Sequence, residues 1–202
     1  MRGWRKFKLQ TSKFRGQPSP NIQHPTSREI LTSKPVGQNP IAYISLGSNL
    51  GDSQQILRAA FARLQGLSDE PITQSSLWQT APVDCPPGSP LFLNAVVGLR
   101  VRTGESPETL LKSLQALELE FGRRPKVVLN EPRPLDLDLL AFGAEIRNTP
   151  QLVLPHPRAH LRRFVLQPWS ELAPDLVLPG QILSVGELLA ALPGNEGAVG
   201  AA

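Results

Sequence analysis

The stretch Pro132-Arg133-Pro134-Leu135-Asp136-Leu137-Asp138-Leu139-Leu140 constrains the fold of this chain more than any other. Apolar and polar residues alternate through it, and the run then turns continuously apolar, which is the pattern of a strand. Residues two apart on a strand share a face. Asp136 and Asp138 therefore project together, while Leu135, Leu137 and Leu139 face the other way, into a core. Two carboxylates side by side repel unless positive charge sits between them. Arg133, near the strand entrance, can supply one charge. Divalent cations can supply more, since Mg²⁺ prefers one or two carboxylates plus substrate phosphates. On this pattern either Asp→Asn change is expected to leave the metal-free protein about as stable as before. Alone, a D-x-D pair is more often the solvated face of an edge strand, so the surrounding chain has to decide.

Upstream, Ile41 to Leu46 reads as a buried strand ended by Gly47-Ser48-Asn49, and the run Gly47-Ser48-Asn49-Leu50-Gly51 suggests a tight turn. Asp52 or Ser53 can cap a helix running to about Leu67, with Ile56, Leu57, Ala60, Phe61 and Leu64 at helical spacing. A second strand is expected over 74–80, then a Pro- and Gly-rich loop over 81–90, then a long apolar strand from Phe92 to Val101. Glu105 to Phe121 reads as a second helix, with Ser106-Pro107 at its start and Gly122 at its stop. A polar loop, 123–132, leads into the strand of the two aspartates. The order strand–helix–strand–strand–helix–strand is the split βαβ arrangement of a ferredoxin-like α+β sandwich. C-terminal additions follow: a short hairpin after about 145, an irregular segment around His156, and a small helix near Val185 to Leu192.

Composition bounds what such a domain can be. The 202 residues suit one domain plus an extension, and 40% hydrophobic content is enough for a core. No apolar run is long enough for a membrane-spanning helix, so no membrane partner is expected. Cys85 is the only cysteine, which precludes an intrachain disulfide and fits a reducing, cytoplasmic setting. The net charge of +4 hides an asymmetry: residues 1–40 carry eight Lys or Arg against Glu29 alone, whereas the rest carries 13 basic and 16 acidic residues. The domain, expected over 40–202, is therefore mildly acidic. Its basic extension, 1–39, is expected to be disordered and is compatible with an organellar transit segment. The high pI of the whole sequence thus does not mark a nucleic-acid-binding body.

The basic groups of the domain gather near the aspartates. Arg123 and Arg124 open the loop that Arg133 closes, and His156, Arg158, His160, Arg162 and Arg163 follow. By themselves these are commonly a solvated face. Beside a Mg²⁺ site, guanidinium groups suit polyphosphate transfer, holding oxygens bidentately and neutralising charge. No G-x-x-x-x-G-K-[ST] run occurs, so this is not a Walker-A site. Thr80-Ala81-Pro82-Val83 and Phe92-Leu93-Asn94 flank the proline loop. A rigid loop, an aromatic face and an amide can together read a flat heterocycle, although a buried Phe and a turn-forming Asn would look the same.

Four signatures in register carry a resemblance: Ala42-Tyr43-Ile44-Ser45-Leu46-Gly47-Ser48-Asn49-Leu50-Gly51, Phe92-Leu93-Asn94-Ala95, Pro132-Arg133-Pro134-Leu135-Asp136-Leu137-Asp138, and Pro155-His156-Pro157-Arg158 with Arg162-Arg163-Phe164-Val165-Leu166. Over about residues 40–180 the chain resembles the 6-hydroxymethyl-7,8-dihydropterin pyrophosphokinases of folate biosynthesis, whose ferredoxin-like fold agrees with the element order. The resemblance implies transfer of the terminal pyrophosphoryl group of ATP to the hydroxymethyl oxygen of 6-hydroxymethyl-7,8-dihydropterin, by attack on the β-phosphorus with release of AMP. It implies Asp136 and Asp138 as ligands of two Mg²⁺ ions, and Arg123 and Arg133 as the arginines that assist transfer. It places the pterin between Phe92 and Phe164, with Asn94 reading its edge and Thr80, Pro82 and Val83 forming the pocket loop. It puts Gln115, Glu118, Leu139, His156 and Arg162 near ATP. A monomer is expected, with ATP and the pterin as partners and no nucleic acid.

Where some members carry Trp-Gly before Pro-Arg, this chain has Asn130-Glu131, so that tryptophan's role is absent here. Gln151 and Val153 stand where some members have Arg and Thr, and those roles are not carried over. Two other readings compete. A palm-type nucleotidyltransferase also uses acids on a ferredoxin-like sheet, but would leave the proline loop with Phe92 and Asn94 unused. An RNA-binding module should expose paired aromatics on its central strands, and only eleven aromatic residues exist, three of them in the extension.

Overall fold

The computed structural model describes residues 39–124, 131–193 and, for the backbone alone, 198–201. Apart from Asn39, the expected disordered extension lies outside the described residues, as does most of the polar loop, 125–130. The domain is built from β1 (Ile41–Ser48), α1 (Ser53–Gln65), β2 (Thr73–Gln74), β3 (Trp78–Thr80), β4 (Phe92–Arg100), α2 (Pro107–Glu120) and β5 (Asp136–Phe142). There follow a hairpin of β6 (Arg147–Asn148) and β7 (Val153–Leu154), a 3₁₀ turn (Ala159–Leu161), α3 (Arg163–Leu172), α4 (Val185–Ala191) and β8 (Ala198–Ala201). The sheet runs β5-β1-β4-β3-β8 with β2 also on β4, and the described pairings are antiparallel. Its first four places are those of the ferredoxin-like sandwich.

Local chemistry sets the helix ends. Asp52 caps α1 by accepting from the Gln55 amide at 3.0 Å. Ser106 and Thr109 form a capping box on α2, with Pro107 at its first position. Gly122, at φ +86°, ends α2 in the left-handed conformation that glycine reaches without strain.

Alternation along the central strands builds two cores. Ala42, Ile44, Leu46, Leu93, Ala95, Val97, Leu135, Leu137 and Leu139 pack under α1 and α2. The opposite face is divided lengthwise. At one end Tyr43, Val96, Leu140 and Ala141 pack against Val165, Leu166 and Trp169 of α3 and Val185 and Leu188 of α4. At the other end the same face carries the polar residues of the site. A register shift between Tyr43 and Ile44 leaves Leu140 as an extra residue on β5, which lets Leu140 and Ala141 both reach the second core.

Three expectations change. The single strand over 74–80 is two short strands, because one extra residue is inserted between Gln74↔Val97 and Trp78↔Asn94; buried Ser75 fills the gap, its Oγ accepting from Val96 N at 2.9 Å. Gly47 does not turn; it lies within β1. The segment after His156 is not merely irregular, since it contains α3 with Pro168 inside it. An interior proline costs a helix about 3 kcal/mol. Burying Val165, Leu166 and Trp169, at roughly 1.5–3 kcal/mol for each apolar side chain, outweighs that cost.

Candidate active site

The site grows from one row of the sheet. Gly47 on β1 pairs with Asn94 on β4 and with Asp136 on β5; one step further along, Ser45 pairs with Asp138. Thr80 on β3 pairs with Phe92. Period-two alternation thus aligns Thr80, Phe92, Asn94, Asp136 and Asp138 on the walls of one open cleft. Val83, Arg133, Arg162 and Phe164 also line it. Nine of the residues singled out from the sequence therefore meet at one place, drawn from β3, β4, β5, two loops and the end of α3.

Gly47 makes the hollow possible. A Cβ there would stand 3.2 Å from Asn94 Oδ1, 3.7 Å from Phe92 and 3.9 Å from Asp136. Its backbone is ordinary strand, so the glycine is needed for space and not for conformation. Sequence reasoning missed this role because a glycine after a strand usually signals a turn. Gly47→Ala is expected to push the Asn94 amide aside by a few tenths of an ångström. Steady-state kinetics should show a raised KM for the heterocyclic substrate and an unchanged thermal midpoint; an unchanged KM would show that the floor tolerates a methyl group.

The first wall suits a flat, polar-edged ring. Asn94 is buried and donates through Nδ2 to Thr80 Oγ1 at 2.7 Å, which fixes the amide plane. Arg133 lies 5.7 Å over the Phe92 ring and Arg162 lies 5.4 Å over the Phe164 ring. Each aromatic is thus in contact with a cation that reaches toward the second wall. Cys85 also lines the cleft; burial pushes its thiol up. Pro82 stiffens the loop but is not among the residues of the wall.

The second wall is charged. Asp136 accepts from Arg123 Nη1 at 2.8 Å and from Arg133 Nη2 at 2.5 Å. Among the described residues Asp138 forms no such salt bridge with a guanidinium. Its carboxyl is raised by burial first and then by the charge of Asp136. His156 is lowered, chiefly by burial, with Asp138 opposing the shift; its amide donates to Leu140 O at 2.8 Å just after the cis Leu154–Pro155 bond. Burial and then Arg158 lower Arg162. Among the described residues no three His, Cys, Asp or Glu side chains converge. Two adjacent carboxylates, one of them largely buried, are nevertheless a donor type that suits a hard divalent cation.

Four residues placed near ATP from the sequence stand away from the cleft wall. Gln115 is exposed on α2, and half-buried His156 is not among the residues that line the cleft. Leu139 is in the first core, at 3% exposure, so its side chain is not presented to the cleft. Glu118 is buried on α2, where it accepts from Leu137 N at 2.8 Å and pairs with Arg123. It holds the start of β5 and the arginine that reaches Asp136.

Residues 43–174 match the family model described as 7,8-dihydro-6-hydroxymethylpterin-pyrophosphokinase. The chain is 41% identical over 153 residues to the 2-amino-4-hydroxy-6-hydroxymethyldihydropteridine pyrophosphokinase of Pseudomonas aeruginosa, covering 75% of this chain and 91% of that one. It is 42% identical over 135 residues to the protein of the same name from Bacillus subtilis, covering 66% and 78%. It is 37% identical over 160 residues to the Pneumocystis carinii folic acid synthesis protein fol1, covering 79% of this chain but 21% of that longer protein. Among solved structures, a crystal structure of HPPK-DHPS in complex with substrates aligns with a TM-score of 0.61 at 13% identity, over 76% of this chain and 43% of that one, a likeness of fold. The nucleotidyltransferase and RNA-binding readings find no support in these likenesses. The row of groups along β1, β4 and β5 therefore sits where the family match runs, and the chain belongs to the 7,8-dihydro-6-hydroxymethylpterin-pyrophosphokinase family.

Proposed function

We propose that this chain transfers pyrophosphate from ATP to the hydroxymethyl group of 6-hydroxymethyl-7,8-dihydropterin, releasing AMP, with Mg²⁺ bound at Asp136 and Asp138. The observation that carries the reading is the two-walled cleft floored by Gly47: Phe92, Phe164, Asn94 and Thr80 on one side, Asp136, Asp138 and Arg133 on the other. A pterin fits the first wall, stacked between aromatic rings and read by the Asn94 amide. A triphosphate fits the second. Asp136 and Asp138 would hold Mg²⁺, two ions with ATP, which would supply charge neutralisation for the triphosphate.

The chain's own groups do the rest. Stacking and the Asn94 amide fix the pterin plane, so its hydroxymethyl oxygen faces the second wall. Arg133, in contact with both Phe92 and Asp136, spans the two substrates. Its guanidinium and that of Arg123 neutralise charge on the transferred group as the new O–Pβ bond forms and the bond to the AMP oxygen breaks. Arg162 on the cleft wall, and His156 near Asp138, supply further contacts to the nucleotide. The loop containing Asn130-Glu131 serves without the tryptophan found in some relatives. The proposed substrates are two small molecules, ATP and the pterin, acted on by a monomer. No helix among the described residues is long and apolar enough to cross a membrane.

Incubation with ATP, Mg²⁺ and the reduced pterin alcohol should release AMP only when all three are present. AMP formed without the pterin, or none formed with it, would sink the reading. Phe92→Ala should weaken pterin binding by roughly 1–3 kcal/mol, the scale of ring stacking, with nucleotide binding little changed. Calorimetric titration of each ligand checks this, and equal loss of both would make Phe92 a core residue and not a platform.

A further inference from the structure

Asn49 follows β1 and is 4% exposed, yet it contributes to neither wall of the cleft. Its polar atoms are spent on two loops. Its backbone N–H donates to Arg133 O at 3.2 Å, and its Oδ1 accepts from Arg133 N at 2.9 Å. Its Nδ2 donates to Pro90 O at 3.4 Å. Arg133 lies between Pro132 and Pro134, neither of which has an N–H. Arg133 therefore carries the only backbone donor of that tripeptide, and Asn49 engages both its N–H and its carbonyl. Pro90 ends the proline loop two residues before Phe92, the ring that Arg133 covers.

We propose that Asn49 is a positioning residue: it holds the backbone of Arg133, and with it the guanidinium that spans Phe92 and Asp136, against the Pro90 end of the loop over the heterocycle. One amide thus keeps the charged wall and the aromatic wall in register. A guanidinium is useful in transfer only where charge develops, and a displacement of about 1 Å can cost about 100-fold in rate. The inference rests on Arg133 serving the pyrophosphoryl transfer.

The test is a cycle of Asn49→Ala, Arg133→Ala and the double variant, with Asn49→Asp beside them. Thermal midpoints are recorded, together with kcat and both KM values. Asn49→Ala should lose about 10–100-fold in kcat. The double variant should fall within about twofold of Arg133→Ala, because Asn49 acts through Arg133. Asn49→Asp keeps the acceptor toward Arg133 and loses the donor toward Pro90. It should hold kcat near wild type and raise the pterin KM about fivefold, the worth of one hydrogen bond. Losses that multiply in the double variant would overturn the inference, as would Asn49→Asp losing as much kcat as Asn49→Ala. If Asn49→Ala does not fold, the Asp variant decides by its split between kcat and KM. Wild-type turnover in Arg133→Ala would overturn the role of Arg133 and this inference together. A crippled Arg133→Ala beside an unimpaired Asn49→Ala would overturn this inference alone.

Discussion

Asp138→Asn is expected to lose roughly 1,000-fold in AMP formation while the ligand-free protein stays as stable as the wild type, or becomes slightly more so. The loss follows from removing one of the two carboxylates that face the proposed triphosphate position, where alignment and charge neutralisation carry the rate. The stability follows from the setting of Asp138. Burial and Asp136 both disfavour its ionised form, so the native state gains nothing from that charge until a cation arrives. The amide relieves the repulsion. Asp136→Asn should behave differently, which revises the equal tolerance expected from the sequence. Asp136 is held by Arg123 at 2.8 Å and by Arg133 at 2.5 Å, and all three side chains are more than four-fifths buried. Removing its charge leaves two guanidinium groups short of a partner, at a cost of about 3 kcal/mol. Thermal melts of the two variants, with and without Mg²⁺ and a non-hydrolysable ATP analogue, check both halves. The wild type should gain stability from the ligands by mass action and Asp138→Asn should gain far less. Wild-type-like turnover in either folded variant would remove the metal site.

Glu118→Ala should destabilise the fold by about 3 kcal/mol and slow turnover, whereas Glu118→Gln should cost less than about 1.5 kcal/mol. Alanine orphans the buried Leu137 N–H and takes from Arg123 one of its two carboxylate partners. Glutamine keeps an oxygen for Leu137 N and gives up only the charge. Urea unfolding with a shared slope gives the two values. The opposite pattern, a fully stable Glu118→Ala with a raised KM for ATP, would return Glu118 to the nucleotide contacts implied by resemblance.

Both predictions show where the sequence was informative and where it was not. Strand periodicity placed Asp136 and Asp138 on one face and Leu137 on the other, because a strand leaves its side chains no third direction. Helical spacing, Asp52 and Ser106 fixed α1 and α2, because caps are local chemistry. The order of these elements admitted few folds, so the sheet β5-β1-β4-β3 was legible before any coordinates. Pairing across the sheet was not. That Gly47 stands between Asn94 and Asp136, that Arg123 and Arg133 converge on Asp136 alone, and that Asn49 joins Arg133 to Pro90 all depend on register between segments tens of residues apart. α3 escaped for a related reason: Pro168 speaks locally against a helix, and only the second face of the sheet, which Trp169 and Leu166 cover, supplies the burial that overrides it. The sequence by itself determined which groups the site contains, since residue type and period are written locally. The tertiary structure decided which of them touch, since contact energies there come from neighbours the chain brings together only on folding.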